Sequence, residues 1–123
     1  MAIDPMSAYR SYSDAWSGAK DGDARRALLE DAWSEDGVFV DPETPAGLIG
    51  REALIGYIAA THEAMPELVV TETSQPEILG QRLRVSWVAT QSGKQMYTGT
   101  DFVEFDEAGR ISRLTMFYDS APD

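Results

Sequence analysis

A chain of 123 residues holds one domain with a modest core, and 43% hydrophobic with 25% charged residues is the balance of a globular protein. Twenty-one acids against ten bases leave a net charge of −11, a surface that repels nucleic acid and anionic membranes and disfavours an anionic substrate. Cysteine is absent, which excludes disulfide and thiol chemistry, and no apolar run approaches the length that crosses a bilayer.

No cluster of Lys and Arg offers a basic pocket, so a neutral, apolar small molecule is the ligand this composition suits. The opening Met1-Ala2-Ile3-Asp4-Pro5 precedes a second methionine, Met6. It looks like an expression scar or a disordered native terminus, and the domain is taken as residues 7–120. No secretory pattern is present, and a cytoplasmic location is the expectation.

Ser7 to about Ser17 reads as a helix, with Tyr9, Tyr12 and Trp16 at spacings of three and four. Gly18 to Gly22 breaks it. Asp23 is placed to cap a second helix from Ala24 to about Trp33, striped by Ala24, Leu28 and Ala32. Gly37 to Asp41 is a short strand, and Pro42 holds Asp41 extended because the residue before proline avoids the helical region. Glu43 to Gly50 is a loop. A third helix runs from about Arg51 to Met65, with Leu54, Tyr57, Ile58, Thr61 and Met65 as its apolar stripe, and Pro66 ends it. Four strands follow in hairpin order: Leu68 to Pro76, Arg82 to Gln91, Lys94 to Phe105 and Arg110 to Tyr118. Helices first and a meander of strands after argue an α+β fold, with the helices on one face of a curved sheet.

Two aspartates stand out, Asp41 at the end of Gly37-Val38-Phe39-Val40 and Asp101 within Tyr97-Thr98-Gly99-Thr100-Asp101-Phe102-Val103. A carboxyl on an inward strand face must be paired, hydrogen-bonded or protonated, because burying a bare charge is costly. Such groups are where shifted pKa values and acid–base chemistry occur. The plainer alternatives are that Asp41 fixes the Pro42 turn and that Asp101 is a hydrogen-bonded core carboxyl. Alternation puts Tyr97, Gly99, Asp101, Val103 and Phe105 on one face, and Leu83, Val85, Trp87 and Ala89 on one face of the preceding strand. In the last strand Leu114, Met116 and Tyr118 alternate with Arg113, Thr115 and Phe117, and the pattern does not choose the inner set. His62 is the single histidine, at the edge of its helix stripe, open as a base or a surface residue. One histidine, no cysteine and scattered acids supply no metal-ligand spacing. Tyr12, Trp16, Trp33, Phe39, Tyr57, Met65, Trp87, Met116 and Phe117 are either core or the walls of an apolar cavity with polar tips.

The stretches Trp33 to Pro42, Gly50-Arg51-Glu52-Ala53-Leu54, Met65-Pro66-Glu67-Leu68 and Gly99 to Ile111 resemble the nuclear transport factor 2-like superfamily, in its SnoaL-like and ketosteroid isomerase-like branch. The resemblance spans about Tyr9 to Tyr118. It implies a cone-shaped curved sheet, mixed or antiparallel, wrapped around three N-terminal helices and enclosing a deep apolar pocket, with homodimers through the sheet. It implies Asp41 as a general base, and Asp101 as an acid kept protonated to stabilise an oxyanion. The main oxyanion donor of those isomerases is a tyrosine on the first helix, whose place falls near Ala15 or Trp16, with Tyr12 one turn earlier. SnoaL-like polyketide cyclases use a late-strand acid, again Asp101. Related epoxide hydrolases use an Asp–Arg–Asp set, for which Arg84 falls on the wrong alternation face from Trp87. The implied activity is cofactor-independent isomerisation or aldol-type cyclisation. The alternatives are a non-catalytic carrier of an apolar ligand and a dimerising accessory module.

Overall fold

The computed structural model describes residues 4–17 and 21–122. The start of the terminal stretch, residues 1–3, and residues 18–20 of the expected break lie outside it.

Helix α1 spans Pro5–Trp16, beginning ahead of the expected Ser7. Asp4 caps it by accepting the Ser7 N–H at 3.2 Å, and Pro5 fits the first turn because no partner exists there for its missing N–H. Its inner stripe is Ala8, Tyr9, Tyr12, Ala15 and Trp16. Helix α2, Gly22–Ala32, is capped by Asp21, which accepts the Ala24 N–H at 2.7 Å. The expected cap Asp23 sits in the first turn instead, where a carboxylate favours the helix dipole. The buried residues of α2 are Arg25, Leu29 and Ala32, so its stripe is rotated from the expected one and Ala24 is exposed.

Trp33 leaves the helix and opens strand β1, Trp33–Val40, which is longer than expected and ends just before Asp41. A short strand β2, Leu48–Ile49, pairs antiparallel with it inside the region read as loop. Helix α3, Arg51–Ala64, buries Leu54, Ile55, Ile58 and His62 and stops ahead of Pro66. The expected strand Leu68 to Pro76 is divided into β3, Leu68–Glu72, and β4, Glu77–Leu79. Strands β5, Arg82–Gln91, β6, Lys94–Phe105, and β7, Ile111–Ser120, complete the meander.

The sheet order is β2-β1-β7-β6-β5-β3, with β4 also on β5. The β1–β7 pair is parallel and the others are antiparallel, so the sheet is mixed. It is curved and unclosed, and the three helices cover its inner face. The fold is the α+β arrangement expected. Trp33, Tyr9, Phe39, Leu54, Ile58 and Leu114 are among the fully buried side chains that join helices to sheet.

Register resolves which way the strands face. Asp101 pairs with Val85 and Met116, and Gly99 pairs with Trp87 and Tyr118. Leu114, Met116 and Tyr118 therefore share the inner face with Asp101 and Trp87. Phe117 and Phe102 lie on the outer face, 57% and 38% exposed. Arg84 is outer too, opposite Phe102, paired with Glu77 at 2.6 Å and on the other face of the sheet from Asp101. Gly99 is glycine for a spatial reason: a Cβ there would run into the Trp87 ring and the Phe117 carbonyl. No helix among the described residues is long and apolar enough to cross a membrane.

Candidate active site

Strand β6 carries Asp101 to the inner face, where it is 2% exposed. Two side chains from distant parts of the chain meet it. The Tyr9 hydroxyl of α1 donates to Oδ2 at 2.8 Å, and the Trp87 indole N–H of β5 donates to Oδ1 at 3.0 Å. Burial pushes the Asp101 carboxyl up from 3.8 to about 7, against the two hydrogen bonds, which favour the charged form. Desolvation wins, so the group exchanges its proton near neutrality. Burial, then the Asp101 charge, holds the Tyr9 phenol far above its ordinary value, so the phenol keeps its own proton and the carboxyl is the group that titrates.

Asp41 is differently held. Its Oδ1 accepts from the Glu43 N–H at 3.0 Å, the Thr44 N–H at 2.8 Å and the Thr44 hydroxyl at 2.8 Å. This is an Asx turn, the structural role the Pro42 junction suggested. The other oxygen, Oδ2, accepts the Tyr57 hydroxyl of α3 at 2.7 Å. Four donors and no acceptor suit a carboxylate, which only accepts. The Tyr57 hydroxyl has a second acceptor within reach, Glu43 Oε2 at 3.3 Å.

Both aspartates line one cavity of about 90 Å³ between the helices and the sheet. Tyr12, Trp16, Tyr57, Met65, Trp87 and Met116 line it as well. Among the described residues two buried donors of the lining side chains find no hydrogen-bond partner: the Tyr12 hydroxyl and the Trp16 indole N–H. The indole approaches that hydroxyl without meeting hydrogen-bond geometry. Orphaned donors are rare inside a protein and costly, so a cavity that keeps two is suited to an occupant that accepts. Burial, then the nearby Asp101, holds the Tyr12 phenol well above its ordinary value, so it stays a donor.

Four residues of the expected set lie elsewhere. Trp33 and Phe39 are core beneath the cavity floor: Trp33 stacks on Tyr12 at 5.5 Å between centroids, and Phe39 packs on Trp16 at 5.9 Å. Phe117 is on the opposite side of the sheet, because β7 alternates about Met116 and Tyr118. His62 anchors a helix junction. An Arg25 guanidinium nitrogen stands 3.3 Å from His62 Nδ1, and His62 Nε2 lies 2.6 Å from the Trp16 carbonyl. A guanidinium only donates, so Nδ1 accepts and Nε2 carries the hydrogen given to that carbonyl.

Periodicity along single elements does not pair Tyr9 with Asp101, although its place in the Tyr9-Tyr12-Trp16 stripe was the available signal. It also missed Tyr97, Tyr118 and Glu43, which line the cavity. Among the described residues no three His, Asp or Glu side chains stand close enough to hold a metal ion.

Residues 9–114 match the family model of the SnoaL-like domain, and the chain belongs to that family. A solved structure of a proposed isomerase of the SnoaL-like family from Agrobacterium tumefaciens is 28% identical, with a TM-score of 0.84 over 94% of this chain and 97% of that one. A proposed ketosteroid isomerase from Kribbella flavida is 21% identical, with a TM-score of 0.72 over 97% and 80%. A proposed polyketide cyclase from Sinorhizobium meliloti is 23% identical, with a TM-score of 0.70 over 93% and 99%. The last two likenesses are likenesses of fold. No curated protein matches the chain.

Proposed function

We propose that this chain is a small-molecule enzyme that performs acid–base chemistry beside a carbonyl, either isomerisation or aldol-type closure, without a cofactor. The observation that carries the reading is the convergence of two carboxyl groups on one apolar cavity, each bonded to a tyrosine hydroxyl. The reacting part of the substrate is neutral and apolar, and its carbonyl oxygen takes the unpaired Tyr12 O–H and Trp16 N–H.

Asp41 is the base. Its Oδ2 is freed when the Tyr57 hydroxyl turns from Asp41 to Glu43, whose oxygen is already within 3.3 Å. Asp41 then takes a proton from the carbon beside the carbonyl. The electron pair of that C–H bond forms a C=C bond to the carbonyl carbon, the C=O π pair moves onto the carbonyl oxygen, and in isomerisation the proton returns at another carbon. Asp101 supports the developing charge. Protonated at Oδ2, it donates to the Tyr9 oxygen, and the Tyr9 O–H turns toward the cavity. A positioned base contributes about 10²–10⁴-fold, and one oxyanion donor about 10²–10³-fold.

A second reading is a non-catalytic carrier of an apolar ligand. It is favoured by the engagement of both Asp41 oxygens with protein donors. One experiment separates the two. Cyclopentanone in D2O is followed by proton NMR for exchange at the carbons flanking the carbonyl. The enzyme reading expects exchange above buffer with the native chain and a loss of about 10²-fold or more in Asp41→Asn. Binding without exchange refutes it and supports the carrier.

A further inference from the structure

The cavity has two unlike ends. At the deep end Tyr9, Tyr12, Trp16 and Asp101 are buried. At the mouth Tyr57, Tyr97 and Tyr118 are half-buried and Glu43 is exposed. The Tyr97 and Tyr118 rings stand 5.0 Å apart at 43°, and Trp87 meets Tyr118 edge-on at 6.4 Å. The Tyr57 hydroxyl joins the buried Asp41, at Oδ2 2.7 Å away, to the exposed Glu43, at Oε2 3.3 Å away. Burial, then the charges of Asp41 and Glu43, holds the Tyr118 phenol above its ordinary value, and Glu43 and the Tyr97 and Tyr118 rings line the same cavity.

Among the described residues no Lys, Arg or His lines the cavity, while Asp41, Glu43 and Asp101 do. The chain around it carries a net charge of −11. The field of Glu43 and Asp41 therefore meets no cationic side chain of the lining, and low-dielectric walls focus it. Aromatic faces are electron-rich and draw cations by the same sign of potential. A wholly neutral occupant satisfies the unpaired Tyr12 and Trp16 donors at the deep end but makes no use of this mouth. An anion is repelled by it.

We infer that the mouth formed by Tyr57, Tyr97, Tyr118 and Glu43 binds a protonated amine. The substrate is then a compact ketone or aldehyde with a cationic end, its carbonyl held deep beside Asp41 and its ammonium held between the tyrosine rings and the Glu43 carboxylate. This rests on the acid–base reading for the deep end and adds the class of substrate.

The test compares two ketones of one shape, 3-(aminomethyl)cyclopentanone and 3-ethylcyclopentanone, which differ by an ammonium in place of a methyl. Affinity is read by calorimetry at low and high salt, and deuterium exchange is read separately. The native chain is expected to bind the amine about tenfold tighter or more at low salt, with the preference shrinking at high salt. Glu43→Gln and Tyr118→Leu are each expected to cut the preference below about threefold. A native preference near unity overturns the inference, and so does a preference that neither variant changes. Catalysed exchange of the ethyl ketone without any amine preference refutes the mouth alone. Amine preference without exchange of either ketone supports the mouth and refutes the acid–base reading alone.

Discussion

Replacing Asp101 with asparagine tests the electrostatics of the site without changing its shape. The amide oxygen can accept from Trp87 where Oδ1 does now, and the amide N–H can donate to a Tyr9 hydroxyl that has turned to accept. The variant thus imitates the protonated acid at every pH. In the native chain burial raises the carboxyl from 3.8 to about 7. A folded value above the unfolded one means that the native state binds the proton more tightly. The stability from this group is complete below about pH 4 and is lost as the pH rises to about 7. A rise of about three pH units at about 1.36 kcal/mol each is on the order of 4 kcal/mol. The amide does not titrate, so the variant has no such loss. Measured by urea unfolding, the two chains should be alike near pH 4, and the Asp101→Asn chain should gain on the native one up to about pH 7. With a denaturant dependence of about 2 kcal/mol per molar, the gap in midpoints opens to about 2 M. Taking the difference between the chains removes the titration of the other acids. A gap that stays constant from about pH 4 to pH 8 refutes the claim that desolvation dominates at Asp101.

Two further outcomes bear on the same site. Gly99→Ala forces a Cβ against the Trp87 ring and the Phe117 carbonyl. It should cost about 1–3 kcal/mol, and displacing the Trp87 N–H should move the Asp101 carboxyl above about 7, as read by carboxyl-carbon NMR titration. An unmoved titration there means that the indole is not what holds Oδ1. His62→Phe removes the donor to the Trp16 carbonyl and should cost about 1–3 kcal/mol. The pH profile of deuterium exchange should keep its shape in that variant, and a lost limb would show His62 to be a base instead of an anchor.

Much of the molecule was legible residue by residue. The periodicity of Tyr9, Tyr12 and Trp16 marked the inner face of α1, and alternation made Trp87 a candidate wall on β5 and grouped Asp101 with Val103 and Phe105 on β6, whose two faces are both mixed in character. Pro42 marked Asp41 as a strand-end residue, and the Asx turn found there is the local hydrogen bonding that an Asp before such a turn favours. The errors lie where one pattern serves two structures. Trp33 continues the spacing of α2, yet it opens β1, because the fully buried slot against Tyr12 lies on the sheet. On β7 both alternating sets contain apolar residues, so alternation had no direction there. His62 was conspicuous as the single histidine, but its partners Arg25 and the Trp16 carbonyl belong to other helices.

Local pattern therefore determined the three helices, the long strands of the meander, the α+β class and the two aspartates, because period and turn chemistry act over a few residues. The tertiary structure alone decided what those aspartates touch. Tyr9 reaches Asp101 across a separation of 92 residues, and the β6–β7 register turns Met116 and Tyr118 inward while it turns Phe117 out. The same packing shut Asp101 away from water, and desolvation is a property of that enclosure. No stretch of the chain carries it by itself.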